Sequence, residues 1–265
     1  MPTTRRQSIG VILFALPLLV LTAGHSAARE APRIAAAADL QFALTEMAEA
    51  FTHATGAPVE LTFGSSGNFF RQIRQGAPFE MFFSADEQYV LKLSRLGLTD
   101  GAGDLYAVGR LVIFIPHGSP LEPDGALNDL RAGLRDGRVT RFAIANPDHA
   151  PYGQRSEEAL RRAGLWEEIE PRLVLGENVS QAAQFAAAGG AEGGIIAYSL
   201  ALAPDVSRRG RFALIPDGWH QPLRQSMVLL KTAGPAARGF RDFVASPAGR
   251  AILKRYGFLL PGETM

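Results

Sequence analysis

The chain has 265 residues, 47% of them hydrophobic, with 28 glycines and 17 prolines, which is enough apolar chain for one large globular domain or two modest ones. Its 27 basic and 26 acidic side chains leave a formal charge of +1, without the basic excess on which nucleic-acid binding draws. There is no cysteine, which excludes disulfides, thiolate metal sites, thiol catalysis and a lipid anchor on a cysteine.

At the N-terminus Arg5 and Arg6 precede an apolar run over 9–21, and Ser26, Ala27 and Ala28 follow as small residues suited to cleavage. That order predicts a secretory signal over 1–28, because the run is shorter than the about 20 residues a membrane span needs. Cleavage near Ala28 removes two arginines and no acidic residue. No second stretch is apolar enough to span a bilayer, so export to the periplasm as a soluble protein is expected. The paired arginines leave the export route open.

Beyond the signal the pattern alternates strand and helix. Residues 34–38 form a short apolar run, and Leu40, Leu44, Met47 and Phe51 then recur at helical spacing up to Gly56. Val59, Leu61 and Phe63 alternate with Glu60 and Thr62 as in a strand, and Gly64-Ser65-Ser66-Gly67 turns the chain into a helix led by Phe69, Phe70 and Ile73. A third strand is expected over 79–83, followed by a helix opened by Ser84 and Glu87 at capping-box spacing. Three such repeats argue for a parallel sheet covered by helices.

Next come an apolar strand over 111–115 and a turn-rich stretch over 117–125. The alternation then returns, with a strand at 142–145, a helix at 156–163 and a strand at 173–175. A helix at 179–188 behind Asn178 and a buried strand at 195–197 follow. Phe240, Phe243, Ala251, Ile252 and Tyr256 mark two short amphipathic helices near the end. Two α/β blocks joined through extended segments predict two lobes with a cleft between them.

In open α/β sheets ligands bind beyond the carboxyl ends of the strands, where helices begin. Helix starts present unpaired N–H groups and a partial positive charge, so they receive anions without a basic side chain. Four such turns stand out: Ala38-Asp39, Ser65-Ser66, the Pro-rich segment 147–153 that contains Tyr152, and Asn178-Val179. Taken singly, each also reads as an ordinary helix cap. Their coincidence in order and type is what points to a ligand.

The segments AAAADL at 35–40, GSSGNFFRQIRQGAPFEMFFSAD at 64–86, ANPDHAPYG at 145–153, GENVSQA at 176–182 and KRYGF at 254–258 resemble the periplasmic molybdate-binding proteins of ABC importers. The resemblance spans nearly the whole mature chain. It implies an α/β, two-lobed type II periplasmic-binding-protein fold, with mixed sheets flanked by helices and the ligand in the interlobe cleft. Lobe 1 would be discontinuous, 29–112 plus 222–265, and lobe 2 would be 113–221. The ligand would be molybdate or tungstate, held through its oxygens with no cofactor and no metal cation. The partner would be an inner-membrane permease, and the protein a monomeric binder, not an enzyme.

Carried over one by one, the family's ligand positions fall on Asp39 at the first turn, with Ala38 beside it, and on Ser66 at the second, with Ser65 beside it. The backbone donors fall on Tyr152 and Val179. The position where some members carry a tyrosine falls on Ala197, with Tyr198 next to it. Asp39 replaces a serine. Either it caps its own helix, the preferred reading, or it accepts a proton from a monoprotonated anion such as phosphate. Sulfate or phosphate binding is the alternative within the same class. A hydrolase built on Ser66 with His149 or His220 is the distant one, the histidines of the mature chain being read as surface or loop residues. The scattered tyrosines argue against an iron-binding relative.

Overall fold

A computed structural model describes residues 1–3 and 30–263, so most of the expected signal lies outside the described residues. From Ala31 onward the chain gathers in one compact unit. No helix among the described residues is long and apolar enough to cross a membrane.

The first strand, β1 (Arg33–Ala37), runs through a single 3-10 turn, Ala38–Leu40, into α1 (Gln41–Thr55). Gly56 ends α1 at a φ of 73°, in the left-handed region that favours glycine. Then follow β2 (Glu60–Gly64), α2 (Ser66–Arg74), β3 (Met81–Ser84), α3 (Glu87–Arg95) and the long β4 (Thr99–Gly109). After β5 (Leu111–Pro116) come α4 (Asn128–Asp136), β6 (Phe142–Ala145), α5 (Pro151–Arg162), α6 (Trp166–Ile169), β7 (Leu173–Gly176) and α7 (Val179–Ala187). The chain continues through β8 (Gly194–Ala197), α8 (Tyr198–Ala201), α9 (Pro204–Ser207), β9 (Gly210–Leu214), β10 (Leu223–Leu230), α10 (Pro235–Ala245) and α11 (Pro247–Arg255).

Two five-stranded sheets result, in the orders β2-β1-β3-β10-β4 and β7-β6-β8-β5-β9. Both are mixed, where strand–helix repetition alone argued for parallel sheets. In the first, β1 is parallel to β2 and β3, and β10 enters antiparallel between β3 and β4. In the second, β6 is parallel to β7 and β8, while β5 is antiparallel to β8 and β9. The chain passes from the first sheet to the second at Arg110 and returns over 215–222. Leu111 and Val112, expected to close the first lobe, pair within the second sheet.

Alternation along the strands sorts the core of the first sheet. Ile34, Ala36, Met81, Phe83, Met227 and Leu229 pack on one face with α1, α10 and α11. Ala35, Phe82 and Val228 pack on the other with α2 and α3. This is the two-residue period of a sheet buried on both faces.

Local differences from the sequence reading have local causes. The third strand starts at Met81, not at 79, because Phe79 turns back to bond Ala77 and sets its ring edge-on to Phe69. The Ser84–Glu87 capping box does not form. Asp86 caps α3 by accepting from the Gln88 N–H at 2.8 Å, and the Ser84 hydroxyl bonds the Asp86 main chain. Helix α5 begins at Pro151, not at 156, because proline at the first helical position is already set near helical φ. Strands β4, β9 and β10 and helix α4 had no counterpart in the sequence reading. In β4 glycines and aspartates interrupt the alternation, and in β10 the polar triplet Arg224-Gln225-Ser226 follows the first residue, Leu223.

Candidate functional site

Four chain segments that leave the carboxyl ends of parallel strands meet at one small cavity. The turn after β1 contributes Ala37, Ala38 and Asp39, and the turn after β2 contributes Gly64, Ser65 and Ser66, with Ala85 beside them. From the second sheet come Ala150, Pro151 and Tyr152 at the start of α5, and Asn178 and Val179 at the start of α7. No lysine, arginine or histidine is among these lining residues. Its lining is buried: Ser66 fully, and Asp39, Tyr152, Ser65 and Val179 nearly so.

Each turn supplies hydrogen-bond donors. Ser65 takes the N-cap position of α2, but its hydroxyl caps nothing and lies 2.9 Å from His149 Nδ1. Ser66 opens the helix, and its Oγ accepts from the Ala85 N–H at 3.0 Å, which leaves the hydroxyl proton to point elsewhere. At α7 the Asn178 side chain accepts from the N–H groups of Ser180 and Gln181, so the Val179 N–H is the donor the cap does not use. At α5 proline occupies the first position without an N–H, and the first helical donors are Tyr152 and Gly153. Gly153 is required there because a Cβ would lie 2.3 Å from the Ala145 carbonyl oxygen at the end of β6.

Asp39 does not cap its helix. It sits inside the 3-10 turn, and neither that turn nor α1 has a side-chain cap. Its Oδ2 accepts from the Tyr152 hydroxyl at 3.0 Å and from Gln225 Nε2 at 2.6 Å. Gln225 is also 3.2 Å from the Tyr152 hydroxyl, and its Oε1 accepts from the Tyr106 hydroxyl at 2.6 Å. Asp39 Oδ1 has no hydrogen-bond partner among the described residues. Burial pushes the carboxyl up to about 6, against the downward pull of the hydrogen bonds from Gln225 and Tyr152. Burial and the neighbouring carboxyl also push the phenols of Tyr152 and Tyr106 well above their usual range, so both remain donors at neutral pH.

Gln225 escaped the sequence reading. It is fully buried in β10, and its place between Arg224 and Ser226 gives no local sign of that burial. His149, expected as a surface or loop residue, does lie in the loop between β6 and α5 but is only 9% exposed. Its carbonyl accepts from the Gly67 N–H at 3.0 Å, and its Nε2 lies 3.5 Å from Glu177. A pairing of Ser66 with either histidine is not present: Ser65, not Ser66, meets His149, and His220 Nδ1 is bonded to the Gln221 carbonyl. Ala197 and Tyr198 lie away from the cavity. Ala197 is fully buried at the end of β8, and the Tyr198 ring packs between the Arg110 guanidinium at 4.6 Å and the Phe212 ring at 5.6 Å. Tyr198 lies one position past the end of β8 and opens α8, which carries its ring to these partners.

Residues 32–259 match the family model described as bacterial extracellular solute-binding protein. The chain is 37% identical to the molybdate-binding protein ModA of Rhodobacter capsulatus, across 85% of this chain and 86% of that one. It is 34% identical to ModA of Azotobacter vinelandii, across 85% and 88%. The solved periplasmic molybdate-binding protein of Azotobacter vinelandii superposes with a TM-score of 0.77 at 29% identity, covering 87% of this chain and 99% of that one. With a family model matched over most of its length and two relatives above 30% identity, the chain belongs to the bacterial extracellular solute-binding proteins.

Proposed function

We propose that this chain is the exported substrate-binding component of an ABC importer and that it captures molybdate or tungstate in the cavity between the two sheets. The observation that carries the reading is the convergence of Ala38, Asp39, Ser65, Ser66, Tyr152 and Val179, from four separate turns, on a cavity without a cationic side chain. Helix starts and hydroxyls hold an oxyanion by hydrogen bonds alone. Each bond to a charged group contributes roughly 1.5–3 kcal/mol. A handful therefore accounts for the about 8–12 kcal/mol of micromolar to nanomolar binding. The relatives named as molybdate-binding proteins supply the choice of anion. Neutral donors fixed around a larger tetrahedral ion pair poorly with the smaller sulfate, which gives selection by size.

In this reading residues 29–110 plus 222–265 form one lobe and 111–221 the other, with Leu111 and Val112 moved to the second lobe by their pairing with β8 and with the anion drawing the lobes together. The contacts between them would be made on closure. They include the Gly67 N–H on the His149 carbonyl, Arg155 with Asp86 at 3.2 Å, and the Ser180 hydroxyl on the Gln41 side chain at 2.5 Å. The ligand shifts this equilibrium only by binding the closed form more tightly. The closed form then delivers the anion to the permease. The protein acts in the periplasm after cleavage near Ala28, and it binds its ligand without chemical conversion.

The test is calorimetric titration of the mature protein with molybdate, tungstate, sulfate and phosphate. Tight binding of the first two with none of the last two is the expected result. Preference for sulfate or phosphate would overturn the choice of anion.

A further inference from the structure

The cavity offers an oxyanion hydroxyl and main-chain N–H donors and, beside them, a carboxyl group. Asp39 is 1% exposed, and one of its oxygens is fully engaged while Oδ1 is left without a partner among the described residues. The groups that face it come from four elements, and all are neutral. Tyr152 on α5 and Gln225 on β10 bond Oδ2 directly, Tyr106 on β4 bonds Gln225 from behind, and the Ser199 hydroxyl on α8 donates to the Asp39 main-chain oxygen at 2.7 Å. Among the described residues no arginine, lysine or histidine bonds either carboxyl oxygen, so none of them compensates a second negative charge beside a bound dianion. Two oxygens that both carry lone pairs and no hydrogen do not settle at bonding distance in a buried site; a proton must lie between them.

We infer that Asp39 receives the anion as a neutral carboxylic acid, with Oδ1–H donating to a ligand oxygen, so that a dianion enters together with one proton taken from solvent. This rests on the cavity being the oxyanion site proposed above. Burial already holds the carboxyl up near the lower edge of neutrality, so the proton is available without a large pH excursion. Asp39 thereby sets a specificity that the neutral donors do not: affinity for a dianion is linked to pH. A monoprotonated oxyanion brings the bridging proton itself and needs none from solvent.

The experiment is calorimetric titration of the mature protein with molybdate at several pH values, in pairs of buffers that differ in ionisation heat, for wild type and Asp39→Asn. The amide keeps an oxygen for Tyr152 and Gln225 and places an N–H where the acid's O–H would be. Wild type should take up close to one proton per molybdate at about pH 8, and its affinity should fall roughly tenfold per pH unit above the carboxyl's own titration. The D39N protein should take up none and hold its affinity across the range. Binding by wild type without proton uptake, or uptake that persists in D39N, overturns the inference and leaves the proposed function standing. If neither protein binds molybdate or tungstate at any pH, the proposed function fails, and this inference with it.

Discussion

Asp39→Asn also has a consequence for the fold when no anion is present. Burial raises the carboxyl from 3.8 to about 6, a shift of about 2 pH units, which corresponds to ~3 kcal/mol at 1.36 kcal/mol per unit. The sign follows from proton linkage: a carboxyl raised in the folded state contributes stability that is complete below 3.8 and is lost as pH rises through about 6. Asparagine does not titrate. The unfolding free energy of D39N minus that of wild type should therefore climb by up to ~3 kcal/mol between about pH 4 and about pH 7.5, the full value belonging to the closed arrangement in which Tyr152 and Ser199 cover Asp39, then stay level. The new amide N–H costs roughly 1–3 kcal/mol if it finds no acceptor, but that cost is independent of pH and moves only the offset. Urea unfolding of the anion-free mature protein at stepped pH measures the difference, and every other titrating group cancels between the two proteins. Parallel stability curves, or a difference that shrinks as pH rises, would refute the reasoning.

Two further substitutions probe the surroundings. A Cβ at Gly67 would lie 2.5 Å from the His149 carbonyl oxygen, so Gly67→Ala should weaken molybdate binding at least about tenfold by obstructing closure. The anion-free fold should be unchanged or up to about 1 kcal/mol more stable, since alanine is the better helix former; unaltered affinity in the same titration would contradict closure at this contact. Gln225→Leu removes the 2.6 Å donation to Asp39 and the acceptor of Tyr106, and should destabilise the fold by about 2–4 kcal/mol in urea unfolding. Because the Gln225 hydrogen bond holds the Asp39 carboxyl down, its loss should also move the pH dependence of binding upward; a stability loss below about 0.5 kcal/mol would show that the network is dispensable.

Much of the site was legible in the chain because its parts are local. A strand that ends in small residues and opens a helix reveals itself within a few positions, and the Asn178 cap spans only the three residues to Gln181. The positions carried over onto Asp39, Ser66, Tyr152 and Val179 line the cavity together with their neighbours Ala38 and Ser65, whereas Ala197 and Tyr198 are not among its lining residues. Strand β10 was missed because its polar opening hides an alternation that becomes meaningful only between β3 and β4.

Asp39 marks the boundary between the two kinds of information. The sequence by itself determined that a carboxylate stands at an anion-receiving turn, and an N-cap was the natural local use for it. Tertiary structure decided otherwise, by bringing Tyr152 from 113 residues away and Gln225 from 186 residues away onto one carboxyl oxygen. A cap competes with solvent over a few bonds of chain, but a buried carboxyl takes whichever donors the packing delivers, and no local pattern records where those donors lie.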